Sequence, residues 1–213
     1  MTQELFDAIA AGNAERVGRL VAADPAVVRH RNAEGIAPIV WAAYVGKPDI
    51  GSVLAAAVGQ LDLAEAAVLG RTDDVRRLLD SGTPVDEMTP DGFTALHYAA
   101  FFGHPDLARL LIERGATIDV AARNDMHVMP LHSAAAGAHH EVAVLLIDAG
   151  ADVNAAQRHG WTPLHSAAEH GDEALAKALL AHGANPAARA EDGTTPVELA
   201  SSGGHTELGK LLA

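Results

Sequence analysis

Twelve histidines in 213 residues are the first feature of this sequence that offers chemistry. Imidazole is both the commonest metal ligand and the commonest general acid–base group near neutral pH. The spacing argues against both uses. His97, His132 and His165 recur at one register, each after a leucine, and His104, His139 and His205 recur at a second. The remainder are His30, His127, His140, His159, His170 and His182, with no HExxH pattern among them. His127, His159 and His170, with Glu169 or Asp125, form the best available ligand set, and it is an adventitious one. Nucleophile motifs are missing: there is no GxSxG, no GxxxxGK[ST] and no glycine-rich loop after a strand. Ser133 and Ser166 follow register histidines directly, and adjacent helix residues do not face each other, so no Ser–His dyad is expected. Without cysteine there is no disulfide, thiolate catalysis or Cys-based zinc site. No catalytic residue, metal ligand or cofactor is assigned.

The histidines are periodic because the chain is. GFTALHYAAFFGHPDLARLLIERGATID, from Gly92, returns as VMPLHSAAAGAHHEVAVLLIDAGADVN, GWTPLHSAAEHGDEALAKALLAHGANP and GTTPVELASSGGHTELGKLLA. The register positions Thr94, Met129, Thr162 and Thr195 stand 35, 33 and 33 residues apart. Earlier copies are worn: GIAPIVWAAYVGKPDIGSVL keeps Pro38, Ala42, Ala43 and Gly46, while LFDAIAAGNAERVGRLV and LAEAAVLGRTDDVRRLL keep only a helix pair around Gly12 and Gly70. The interval from Gly46 to Gly70 is 24 residues, so one hairpin is missing there, and seven helix pairs are expected.

A period of 33 residues with a T-P-L-H-x-A signature resembles the ankyrin repeat family over almost the whole chain. The resemblance implies an all-α solenoid of about seven helix–turn–helix units with short β-hairpin loops, in one domain over 1–213, degenerate over 1–90 and regular over 91–213. The local chemistry agrees. Thr or its equivalent starts the first helix of each unit, with proline where a missing N–H costs nothing. Leu and two Ala form a narrow buried face. Gly103, Gly171 and Gly204 end the first helix at positive φ, and Leu107, Leu110 and Leu111 bury the second. One pair alone cannot bury its apolar face, so only the stack is stable. The resemblance also implies that His97, His132 and His165 bond backbone near the hairpins and tie repeats together.

Three departures stand out. Asn124–His127 enlarges one hairpin by two residues. Ala138 takes the place of a turn glycine, and a shift of the turn onto Gly137 is the expected remedy. The missing hairpin near 55–62 leaves a gap in the row of projecting hairpins, either a seat for a partner or degeneration next to a cap.

Composition bounds the partner. The net charge of −13 repels phosphate backbones and anionic membranes, so neither nucleic acid nor membrane is expected. No signal peptide or membrane span is legible, and a soluble cytoplasmic protein is the reading. Aromatics are only 4% of the chain, yet several fall where the family contacts its partners: the inner ends of first helices and the hairpin tips. Carried over by register, these positions give Tyr44, Phe93, Phe101, Phe102 and Trp161, joined by Asp125, His127, Glu169 and His170. The reading is a non-catalytic module that binds a protein of unknown identity through its concave face and hairpin tips. The competing view of Phe101 and Phe102 is space-filling under a neighbouring hairpin; Trp41 and Tyr98 are read as structural. The alternative function is a groove near the enlarged hairpin 124–128 that holds a small molecule or metal, or serves an atypical enzyme. Both ends read as caps, so a monomer is expected, with a dimer through the aromatics as the other choice.

Overall fold

Proline and glycine set where the helices start and stop. A computed structural model describes residues 2–213. Among them are fourteen α-helices in seven pairs and no strand. Contacts divide the chain into two compact units, Met1–Ala95 and Leu96–Ala213.

The first unit holds α1 (Thr2–Ala10), α2 (Ala14–Ala23), α3 (Pro38–Tyr44), α4 (Pro48–Val58), α5 (Leu63–Val68) and α6 (Thr72–Asp80), with a 3-10 turn at Pro25–Arg29. Leu5, Ile9, Ile39, Leu54 and Val75 are fully buried, so even the worn copies keep their apolar stripes. α4 and α5 are joined by only four residues, 59–62. Arg29 occupies this short link: its guanidinium donates to the carbonyls of Val58 and Gln60 and lies 3.4 Å from Glu65 Oε2. Arg31 reaches Asp62 at 3.2 Å. α5 then starts in a reciprocal cap, with Glu65 N–H donating to Asp62 and Asp62 N–H to Glu65.

The expected gap in the hairpin row is closed at the tips. The tip at Asn32–Ile36 adjoins the tip at Thr89–Phe93: a Cβ placed on Gly35 would stand 2.7 Å from Pro90 Cβ. Tyr44 spans the same level to Asp91. A short link draws the flanking hairpins together because nothing intervenes to hold them apart.

The second unit holds most of α7 (Ala95–Phe101) and α8 (Pro105–Glu113), α9 (Pro130–Ala136), α10 (His140–Asp148), α11 (Pro163–His170), α12 (Glu173–Ala181), α13 (Pro196–Ser202) and α14 (Thr206–Leu212). First helices pack on first helices (α9–α11, α11–α13) and second on second (α8–α10, α10–α12). Leu96, Leu107, Leu111, Leu131, Leu146, Leu164 and Leu175 fill the layers between. Among the described residues the hairpins form no strand ladder; one backbone bond closes each at its base and a second turns its tip. Gln157 to Trp161 and Ala190 to Thr194 span four residues, whereas Ala122 to Val128 spans six, which is the two-residue enlargement. Neighbouring tips are joined by Arg158 N–H to the Met126 carbonyl and Glu191 N–H to the His159 carbonyl.

The expected turn shift at Ala138 does not occur. Ala138 itself takes φ 55°, and Gly137 stays right-handed. The reason is contact: a Cβ on Gly137 would lie 2.5 Å from the Phe101 carbonyl oxygen, so that glycine serves close approach and leaves the left-handed turn to alanine.

Candidate partner-binding face

Two of the register histidines, His132 and His165, use both ring nitrogens, and this positions the face. At α11 the Thr162 N–H donates to His165 Nδ1 at 3.1 Å, capping the helix. A nitrogen that accepts carries no proton, so the ring is the neutral Nε2–H tautomer, and Nε2 donates to the Thr194 carbonyl of the next hairpin at 3.2 Å. His132 repeats the arrangement, accepting from Met129 N–H and donating to the Ala155 carbonyl at 3.0 Å. His97 reaches the Val128 carbonyl at 2.9 Å. Burial lowers the pKa of His132 and His165, against the opposing pull of those carbonyls. In α13 the slot holds Glu198, which accepts from Thr195 N–H and so keeps the cap. A carboxylate has no proton to donate to a neighbouring carbonyl, unlike the imidazole it replaces.

The second histidine register works in the opposite direction. The His205 ring lies against Gly171, where an added Cβ would meet it at 2.4 Å, and Nε2 donates to the Glu169 carbonyl at 3.2 Å. His139 covers Gly103 likewise and bonds the Phe101 carbonyl. These contacts hold the C-terminal ends of the first helices in fixed succession. At or next to those ends, Phe101, Ala136, Glu169 and Ser202 share one register position, and all four are exposed.

Phe101 is 41% exposed and packs edge-on against Phe102, with ring centroids 5.1 Å apart. Phe102 is half-buried. Glu169 and His170 are exposed at the end of α11, where His170 Nδ1 donates to the Ser166 carbonyl at 2.9 Å. At the tips, Trp161 is half-buried and tilts over His165 at 5.6 Å. Asp125 is almost wholly exposed and 3.8 Å from Arg158. His127 is exposed at φ 50°, in the position that Gly160 and Gly193 hold in the ordinary hairpins. Tyr44 and Phe93 belong to the first unit; both are half-buried, and the Tyr44 hydroxyl donates to Asp91 at 2.7 Å. Trp41 stacks edge-on with Phe6 at 6.4 Å, its indole N–H buried without a partner, and Tyr98 is 2% exposed, as structural residues should be.

The adventitious ligand set of His127, His159 and His170 is not assembled. His159 pairs with Glu191 at 3.1 Å, His170 is turned to its own helix, and no group of three or more His, Asp or Glu is disposed to hold a metal among the described residues. Sequence reasoning missed Met126, 42% exposed at the enlarged tip, although its place inside a two-residue insertion was the available signal. No helix among the described residues is long and apolar enough to cross a membrane.

Comparison with known proteins agrees with this architecture. The family of ankyrin repeats, described as three copies, matches residues 63–157 and 131–213. An ankyrin repeat-containing protein of Schizosaccharomyces pombe is 42% identical over 55 residues, 26% of this chain and 27% of that protein. Ankyrin-3 of Rattus norvegicus is 38% identical over 65 residues, 30% of this chain and 2% of that protein. Protein phosphatase 1 regulatory subunit 27 of Mus musculus is 38% identical over 63 residues, 30% of this chain and 41% of that protein. The matches therefore span less than half the length of these relatives. With the repeat register, the paired helices and a family match over more than half its length, the chain belongs to the ankyrin repeat family.

Proposed function

We propose that the chain is a non-catalytic interaction module that takes a protein segment on the exposed ends of its first helices and on its hairpin tips, with Phe101 as the anchor. Ankyrin repeats are protein-interaction modules. The observation that carries the reading is Phe101: a large aromatic left 41% exposed, steadied edge-on by Phe102, in a register column that is solvent-facing in four successive repeats. Rigid aromatic anchors of this kind supply most of the energy at protein interfaces. Met126, Trp161 and His127 supply further exposed or half-buried groups at the tips, and Asp125 and Glu169 add acidic contacts for a partner with basic groups. Tyr44 and Phe93 belong to the same reading in the first unit. A cytoplasmic setting and a monomeric state complete it.

Affinity capture from native lysate with the intact chain and with Phe101→Ser tests it, alongside thermal melts of both. Loss of a captured protein with an unchanged melting temperature supports the reading. Equal capture by the variant overturns Phe101 as anchor.

A further inference from the structure

The shortened repeat leaves a trough elsewhere on the first unit. Second helices pack side by side at α2–α4, α8–α10 and α10–α12; as at α12–α14, no comparable packing joins α4 to α6. Between them is an open cavity of about 470 Å³, within the range of ligand sites. Its apolar lining is Ala55, Leu61 and Leu78. Its wall is one face of α6 and its cap, where Arg71, Asp74, Arg77 and Ser81 follow at helical spacing. A second recess of about 310 Å³ shares Gln60, Leu61 and Leu78 and continues toward Asp62, Thr83 and Glu87.

The wall carries spare positive charge. Arg71 and Arg77 both pair with Asp74, Arg71 at 2.9 Å. The Asp74 side chain is 14% exposed, whereas those of Arg71 and Arg77 are 56% and 76% exposed. Each guanidinium has five N–H donors in a planar fork, and one shared carboxylate cannot occupy both forks. The lining thus holds two guanidiniums for one carboxylate, in a chain of net charge −13.

We propose that the trough binds an extended peptide segment of a partner in which an acidic side chain stands beside an aliphatic one. The carboxylate takes the open donors of Arg71 and Arg77, and the aliphatic group covers Ala55, Leu61 and Leu78. The site is independent of the Phe101 face.

The test is selection of a displayed random peptide library on the full chain, followed by fluorescence anisotropy of the enriched peptides. Enriched sequences are expected to place Asp or Glu next to Leu, Ile or Val. Arg77→Gln should weaken their binding at least about tenfold, the scale of a lost charge-assisted hydrogen bond. Gln60→Trp leaves every charge in place and fills the trough; it should abolish binding without shifting the melting temperature, and Phe101→Ser should leave binding unchanged. Enrichment without acidic residues overturns the proposal, as does binding indifferent to Arg77→Gln and Gln60→Trp. Peptides lost only with Phe101→Ser overturn it too, while supporting the function proposed above; failure of that function would leave the trough result standing.

Discussion

The Tyr44 hydroxyl donates to Asp91 Oδ2 at 2.7 Å, linking the end of α3 to a hairpin 47 residues further along the chain. The bond spans the level at which a hairpin is missing, and with the Gly35–Pro90 contact it holds the flanking tips together. Tyr44→Phe keeps the ring and removes the donor. It should lower stability by about 1.5–3 kcal/mol, the range for a bond to a charged acceptor. An unchanged urea midpoint would show that the bond contributes nothing.

Gly103 and Gly115 both hold positive φ, at 72° and 83°, but only Gly103 has a neighbour in the way. Gly115→Ala should cost about 1–2 kcal/mol from backbone strain alone. Gly103→Ala should cost clearly more, because its Cβ would lie 2.3 Å from His139 Nδ1. Adding His139→Ala to Gly103→Ala should recover part of the difference in chemical denaturation; no recovery would place the extra cost elsewhere.

Ala138 is the converse case. Ala138→Gly relieves about 1–2 kcal/mol of left-handed strain at φ 55° against about 0.4–1 kcal/mol of added chain entropy. A small rise in melting temperature is expected, and a fall would contradict the strain account.

The histidine ties predict a pH dependence. Burial lowers the pKa of His132 from 6.5, so the folded state binds fewer protons than the unfolded chain just below that pH. Its contribution to stability is complete above the ordinary imidazole range and declines as pH falls through 6.5 toward the folded value. Protonation of Nδ1 also ends its acceptance from Met129 N–H. His132→Gln should be less stable at neutral pH yet lose less on acidification. Identical slopes in denaturation series above and below that pH would refute the role.

Glu65 titrates with the opposite sign. It is 2% exposed, and burial, with the nearby Asp62 charge, raises its carboxyl above 4.5. Its favourable contribution is present below 4.5 and is lost as pH rises through the folded value. Gln keeps an oxygen for the Asp62 N–H and carries no charge. Glu65→Gln should therefore be more stable than the parent at neutral pH, with the advantage vanishing in acid. A destabilised variant at neutral pH would mean that the Arg29 pairing outweighs the burial.

Local chemistry made the regular repeats legible. Thr162–Pro163, Leu164–His165 and the turn Gly171 each do their work within a few residues, so their spacing alone announced a capped helix, a buried stripe and a turn. The exposure of Phe101 was legible for the same reason, since register assigns a face once the helix is known. Ala138 was misread because the constraint on Gly137 comes from the Phe101 carbonyl, 36 positions away in the chain.

The sequence by itself thus determined the all-α class, the seven helix pairs, the shortened third repeat and the residues at each register position, because period and capping are local properties. Only the tertiary structure decided what those features become. It turned Tyr44 toward Asp91, kept His127, His159 and His170 from forming one ligand set, closed the hairpin gap at its tips and opened a trough between α4 and α6. These outcomes depend on which surfaces meet after the chain has folded back, and spacing along the chain carries no measure of that.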